Sequence, residues 1–275
     1  MKTRSALGRV ATQFFLVVAC LLAVFPLAWV LLTSLKNTRD ATASAENALA
    51  FTPTFENFAS VFTSSNFIHA ALISAAVTIV ATLAVTIIAT LGGYAFARLR
   101  FAGRRTLASV MVIVQVIPAV VLVIPLYRIV SAVGLYDNWV AIAAVMTGLS
   151  IPFATWLMLA FFRNSPIEVE EAAVIDGANR FQMFRHVLIP IVAPGIATAA
   201  IFTAIAVWNS FLIPVVLGQT DAQTLTVYVA QFITFQGIKW GPLCAAAVLV
   251  LAPIVLFVLA MQRPLVKGLT AGSVK

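Results

Sequence analysis

Apolar residues in this chain fall into six long runs set apart by shorter polar segments: Val10–Leu35, Ala70–Ala97, Thr106–Tyr127, Trp139–Phe162, Val187–Leu217 and Trp240–Met261. Each is long enough to cross a bilayer core, which takes about 20 apolar residues as a helix. None holds an Asp, Glu, Lys or Arg. The pattern predicts an all-α polytopic membrane protein of six transmembrane helices, one transmembrane domain over residues 1–275. Between the runs, Lys36–His69 is long and polar, and Phe55–Phe62 within it reads as a short helix lying at the outer interface. The runs are rich in proline: Pro26, Pro118, Pro125, Pro152, Pro194, Pro214 and Pro253. Proline removes a helix hydrogen bond, and in a membrane the freed groups must be met by protein or by a water-filled cavity. Pro118, Pro125 and Pro214 have polar Gln115, Trp208, Asn209 and Ser210 nearby in sequence. Lining a pathway and simply kinking a helix are both open readings of them.

Composition agrees: 62% of residues are hydrophobic, 9% are charged and the mean hydropathy is +1.06, where a soluble domain carries roughly 25% charged residues. The net charge of +8 does not point to nucleic acid, because the bases sit between apolar spans rather than in a patch interleaved with aromatics. They set orientation instead. With six spans, one side holds thirteen Lys and Arg and the other four, Lys36, Arg39, Arg128 and Lys239. By the positive-inside rule both termini are cytoplasmic. Cys20 and Cys244 lie in apolar runs outside any Cys/His cluster and read as small buried residues, with no metal site. The stretch before Cys20 looks like a lipoprotein cleavage box, but the chain continues apolar after it. The run Val10–Leu35 is also too long for the core of a cleaved signal peptide.

A transporter needs a source of energy. Proton-coupled carriers bury acids or histidines along the path; here all nine acids and both histidines lie outside the runs. The chain also lacks a G-x-x-x-x-G-K-[ST] phosphate loop. Energy then comes from another subunit through a docking surface, or the chain is a passive channel. The segment Arg163–His186 offers such a surface. It holds four of the nine acids, Glu168, Glu170, Glu171 and Asp176. Ser165 suits an N-cap, Pro166 a first helical position and Glu168 the partner of a capping box. A helix should run to about Ile175 and stop at Gly177 in a left-handed conformation. A second should start near Asn179 with Phe181, Phe184 and Leu188 on one face. Small Ala172 and Ala173 would let the first helix seat in a groove of a partner, and Glu170 and Glu171 could pair with its bases. The same grammar fits a capped amphipathic loop resting on lipid headgroups.

Glu171-Ala172-Ala173, three residues, Gly177, nine residues and Val187-Leu188-Ile189-Pro190 resembles the EAA signature of ABC-importer permeases, with conservative swaps at Val187 and Ile189. Ile117-Pro118 through Pro125-Leu126-Tyr127, followed by Gly134–Asn138, is similar to the third span and outer loop of carbohydrate permeases. Trp208-Asn209-x-Phe211 resembles the W-N-x-F of their fifth span. Gln262-Arg263 and Val266–Lys275 resemble the tail of that group. The chain thus resembles a maltose-type (carbohydrate uptake) ABC permease subunit, with the ABC importer permease fold.

The resemblance implies a multi-pass chain of a bacterial or archaeal cytoplasmic membrane. It would form half of the pathway for a carbohydrate, a di- or oligosaccharide, and work by alternating access. The implied partners are a second homologous permease subunit as a heterodimer, two cytoplasmic ATPase subunits, an external solute-binding protein and lipid. The chain itself would be no enzyme and hold no cofactor, with ATP and Mg bound by the partners. Glu170, Glu171, Ala172, Ala173, Asp176 and Gly177 would form the coupling helix and its turn, and Pro190 would start span five. Gln115, Trp208, Asn209 and Phe211 would face the solute, by ring stacking and amide hydrogen bonds, or pack helices together. The tail Gly268–Lys275 would reach toward the ATPases, and Gly218–Lys239 would touch the binding protein. A glycerol-phosphate-type or amino-sugar solute, a secondary carrier and a scaffold without transport are the alternatives.

Overall fold

The computed structural model describes residues 6–42 and 49–271, with side chains over 12–42 and 49–259. In chain order the helices are α1 (Ala6–Ser34), α2 (Thr38–Ala41), α3 (Glu56–Phe62), α4 (Ser65–Arg98), α5 (Arg104–Val116), α6 (Ala119–Ala132), α7 (Trp139–Asn164), α8 (Ile167–Ile175) and α9 (Arg180–Gln182). A π-helical turn, Met183–Leu188, joins α9 to α10 (Ile189–Trp208). Then come α11 (Leu212–Leu217), α12 (Leu225–Ala230), a two-stranded antiparallel hairpin of β1 (Ile233–Thr234) and β2 (Gly237–Ile238), and α13 (Trp240–Ala271). Among the described residues five helices are long and apolar enough to cross a membrane, six if α5 and α6 form one broken span. The segment Gly268–Lys275 lies partly outside the described residues, which end at Ala271.

Two of the runs are not single helices. Thr106–Tyr127 is divided at Ile117-Pro118, where α5 and α6 meet at 104°. Pro118 has no N–H, and its ring pushes Ile117 out of the helical region to φ −68°, ψ 121°, so the helix ends at the residue before it. Val187–Leu217 is broken at Asn209-Ser210, where the Asn209 amide folds back to donate to the Ile205 carbonyl at 2.8 Å and α11 starts afresh. The short helix expected over Phe55–Phe62 is α3.

The chain divides into two compact units. One consists of the chain up to Ile68 with Tyr228–Pro253. Its polar centre is Asn57, buried on α3, whose amide donates to the Ser34 and Lys36 carbonyls at the end of α1, at 2.9 and 2.7 Å. A side chain at Gly241 would collide with that amide, at 2.7 Å, so glycine is required for α13 to pass. The ammonium of Lys36 sits 5.2 Å from the ring centres of both Trp29 and Phe51, a cation-on-aromatic contact that suits a buried lysine. Among the described residues, none in the most apolar stretch of α1 is buried.

The other unit, His69–Val227 with the chain beyond Pro253, holds the main apolar packing. One cluster joins α4, α6, α7, α10 and α11 through Val77, Val130, Ile142, Val207 and Leu217. The second joins α4, α7, α8 and the α9–α10 stretch through Val85, Met158, Phe162, Ala173, Leu188 and Val192. α4 and α7 come close at Gly93, where an added Cβ would lie 2.6 Å from the Met158 Cβ. Glycine at such a crossing gains van der Waals contact that lipid cannot supply.

Candidate functional site

The short helix α8 packs into the second cluster of this unit through Ala173. At its C-terminus Gly177 has φ +85°. Its N–H donates to the Val174 carbonyl, and the Ala178 N–H to the Ala173 carbonyl, both at 3.0 Å. This is the paired bonding of a glycine-terminated helix. A Cβ on Gly177 would meet nothing within 4 Å, so glycine is needed there for backbone conformation and not for space. At its N-terminus α8 begins one residue later than the sequence suggests. Pro166 is the cap, and Ser165 makes no side-chain cap. The carbonyl of Ser165 instead accepts from Arg98 Nη2 at 2.8 Å, which holds Ser165-Pro166 extended. The reciprocal capping box forms at α9, between Asn179 and Gln182, both bonds at 2.9 Å.

The two faces of α8 differ. Glu170 and Ala173, three apart, point inward and are buried. Ala173 packs in the second cluster, so its small size serves contacts within the chain rather than a partner's groove. Glu170 accepts from Arg98 Nε at 2.6 Å, with the two side chains 10% and 13% exposed. It is therefore not free to pair with a partner's bases. The outer face carries Glu168, Glu171, Ala172, Val174, Ile175 and Asp176, all exposed, with Ile175 at 84%. This surface is acidic and apolar with a small residue at its middle.

The segment after α8 continues into α10 through the π turn. The Ile189 N–H donates to the Phe184 carbonyl, five residues back. Pro190 has no N–H to give to His186, and its ring would press on that carbonyl; the widened turn relieves both. It also turns Phe181 off the face shared by Phe184 and Leu188: Phe181 is 67% exposed, and Met183 takes the inward position. Phe184 meets Tyr94 edge-on and stacks on Phe162, at ring separations of 5.1 and 6.5 Å, which joins the turn to α4 and α7. Pro190 itself is exposed at the start of α10.

Of the residues suggested for a solute path, Trp208, Asn209 and Phe211 lie together at the α10–α11 break and Gln115 lies on α5. Gln115 is exposed on the last turn of α5, and its amide donates to the Met111 carbonyl at 3.3 Å. Trp208 ends α10, Asn209 lies in the break, and Phe211 is exposed at the start of α11. Gln115 and Asn209 each bond their own helix, and α11 packs on α6 and α7 while α5 packs on α7. Among the described residues no group of three His, Cys, Asp or Glu is placed to hold a metal.

Sequence reasoning missed Asp137. It sits before α7 with φ 56°, a region that Asp tolerates better than most residues. Its carboxylate accepts from four successive backbone N–H groups, Gln219 (2.6 Å), Thr220 (3.0 Å), Asp221 (3.1 Å) and Ala222 (3.0 Å). Burial pushes the carboxyl up, and the four N–H donors together outweigh it and hold it below the usual carboxylate value. The same loop is pinned to α4 twice: His69 Nε2 lies 2.9 Å from the Asp221 carbonyl, and Ser74 Oγ accepts from Leu225 N at 2.8 Å.

Residues 89–270 match the family described as binding-protein-dependent transport system inner membrane component. The chain is 35% identical to the trehalose transport system permease protein SugB of Mycobacterium tuberculosis, over 92% of this chain and 93% of that one. It is also 35% identical to the diacetylchitobiose uptake system permease protein DasC of Streptomyces coelicolor, over 99% of both. Its fold is that of a bacterial ABC transporter involved in the import of the acidic polysaccharide alginate, with a TM-score of 0.78 and 22% identity over 96% of this chain and 99% of that one. With its membrane-length helices and its helix–glycine–helix loop, the chain belongs to the binding-protein-dependent transport system inner membrane components, the multi-pass permease subunits of ABC importers.

Proposed function

We propose that the chain forms half of the membrane pathway of a carbohydrate importer and receives its driving force at the outer face of α8. The observation that carries this is the division of α8 into two faces. Glu170 and Ala173 fasten it to the bundle, while the side chains of Glu168, Glu171, Ala172, Val174, Ile175 and Asp176 are exposed. A cytoplasmic ATPase subunit with a groove rimmed by bases fits that face: the apolar residues fill the groove and the acids pair at its edge. The π turn then passes displacement into α10.

The excess of Lys and Arg on the α8 side supports a cytoplasmic α8 and cytoplasmic termini. The opposite end, where Asp137 organises the loop after Gly218, then faces the solute-binding protein. A second, homologous permease completes the pathway, and the uncovered length of α1 offers it a surface to pack on. ATP and Mg belong to the ATPase subunits. A sugar as solute is supported by the relatives named for trehalose and diacetylchitobiose. A ring face on Phe211 and an amide at Gln115 or Asn209 would suit hydroxyl-rich rings. Alternating access follows: closing of the ATPases draws the α8 helices of the two permeases together and opens the path outward.

The test is reconstitution in liposomes with the second permease, the ATPase subunits and the binding protein, assaying ATP-dependent uptake of trehalose and diacetylchitobiose. Uptake that requires both ATP and the ATPase subunits supports the reading. Accumulation by the chain alone, driven by an ion gradient, would make it a secondary carrier.

A further inference from the structure

α8 is held at its two ends by the chain itself, through α7 before it and the π turn after it. A third tie crosses 72 residues of sequence. Arg98, the last residue of α4, donates from Nε to Glu170 Oε1 at 2.6 Å and from Nη2 to the Ser165 carbonyl at 2.8 Å. One guanidinium thus grips both the body of α8 and the turn that leads into it. Its planar fork suits two acceptors in fixed directions, which an ammonium cannot match. Both side chains are nearly withdrawn from water. A buried pair of this kind is a weak source of stability, but it fixes one register strongly, because a shift of either helix strands a charge. The Arg98–Glu170 pair is also the one ion pair within hydrogen-bond reach among the described residues.

Nothing along the chain between α4 and α8 connects them directly. α4 passes instead to α5 at the loop around Gly103, and α8 passes to α10. Without Arg98, a push on α8 reaches α10 through the π turn and reaches α4 through α7 and apolar contacts such as Phe184 on Tyr94.

We propose that Arg98 is a positioning residue that gears α8 to α4, so that displacement of α8 by a docked subunit moves α4 together with α10. This rests on the reading of α8 as the docking site. Arg98 itself touches neither nucleotide nor solute. Its loss should leave docking and ATP hydrolysis in place and uncouple them from movement of α4.

The test uses the assembled complex in liposomes, with Cys20→Ser, Cys244→Ser and Leu99→Cys in this chain, so that the thiol at the end of α4 reports its position by its rate of maleimide labelling. ATP trapped with vanadate closes the ATPase subunits. In the Arg98 background the labelling rate should change about tenfold on trapping, a shift in line with ordinary coupling between sites. Arg98→Ala and Glu170→Ala should retain the ATPase subunits and lose that change. The swapped pair Arg98→Glu with Glu170→Arg, which rebuilds the ion pair but not the bond to the Ser165 carbonyl, should restore part of it, more than either single variant. Arg98→Lys, which keeps the charge but not both contacts, should fall between. A change that persists in both alanine variants, no change in the Arg98 background, or a swap no better than the single variants overturns the proposal. Where an alanine variant is not recovered from the membrane, Arg98→Lys and Glu170→Gln decide it, and full change in both overturns it. Failure of the Arg98 background to retain the ATPase subunits would mark failure of the docking reading instead.

Discussion

The two ends of α4 and α7 are fastened in different ways. At one end Asp137 is compensated by four backbone N–H groups of residues 219–222. At the other Glu170 is compensated by a side chain, Arg98. The first arrangement needs an anion at 137 and a loop whose backbone curls around it; no change of partner side chain can replace it. The second is a pair of opposite charges that can be exchanged. Backbone dipoles make a fixed clamp, and a side-chain pair makes a joint whose geometry can be altered without unfolding the loop. A clamp suits the end that must hold a loop in shape, and a joint suits the end where we propose that force is received.

Both ends depend on the seam between α4 and α7, so the largest effect should come there. Gly93→Leu drives a side chain into the backbone of Met158 and Leu159 and should cost about 3 kcal/mol, read as a lower unfolding temperature in detergent. Equal losses at the two ends, seen as faster hydrogen exchange at both 219–222 and 167–175, would support a shared seam; loss at one end alone would break the comparison.

Asp137→Ala should come next, at about 2 kcal/mol for the loss of a charged acceptor, with Asp137→Asn costing about half as much because one acceptor survives. Its pH dependence has a definite sign. The folded value lies below the ordinary 3.8, so the clamp is at full strength above 3.8 and weakens as pH falls through the lower folded value. Neutral and alkaline conditions should leave it unchanged. A stability profile flat down to strongly acid pH in the wild type, or an unchanged one in Asp137→Asn, would show that the clamp carries no weight.

Gly177→Val should cost about 1–2 kcal/mol, because φ +85° is a region that a β-branched residue resists. The space around it is open, so the loss is one of conformation. Recruitment of the ATPase subunits should fall while the Asp137 end keeps its exchange protection. The smallest effect on the fold belongs to Glu171→Lys, on the exposed face of α8: unfolding should shift by less than about 0.5 kcal/mol, while ATPase recruitment falls. Normal recruitment by this variant would remove Glu171 from the contact.

The sequence carried the long helices openly, because uncharged runs of membrane length have few other uses. The glycine stop of α8 was legible too, from Gly177 alone. What escaped was set by contacts distant in sequence. Asp137 meets its donors 82–85 residues later, and Arg98 meets Glu170 72 residues later. Neither residue stands out from its near neighbours in sequence. A usable signal was present in each case: Asp137 follows Gly134 in a turn just ahead of a helix, where a left-handed acid can gather amides, and Arg98 is the first charge after a long apolar run. Likewise the break at Ile117-Pro118 followed from proline chemistry but was averaged into one apolar span. The register of Phe181 could not be read, because a π turn adds a residue that the usual period does not count.

The account turns on the outer face of α8 being where a partner delivers force from the cytoplasm. A thiol there tests this most directly: Glu171→Cys in a chain with Cys20→Ser and Cys244→Ser, exposed to a membrane-impermeant maleimide in right-side-out and inverted vesicles. The account predicts labelling only in inverted vesicles, with strong protection once the ATPase subunits are assembled. Labelling in right-side-out vesicles, or equal labelling with and without those subunits, would contradict it.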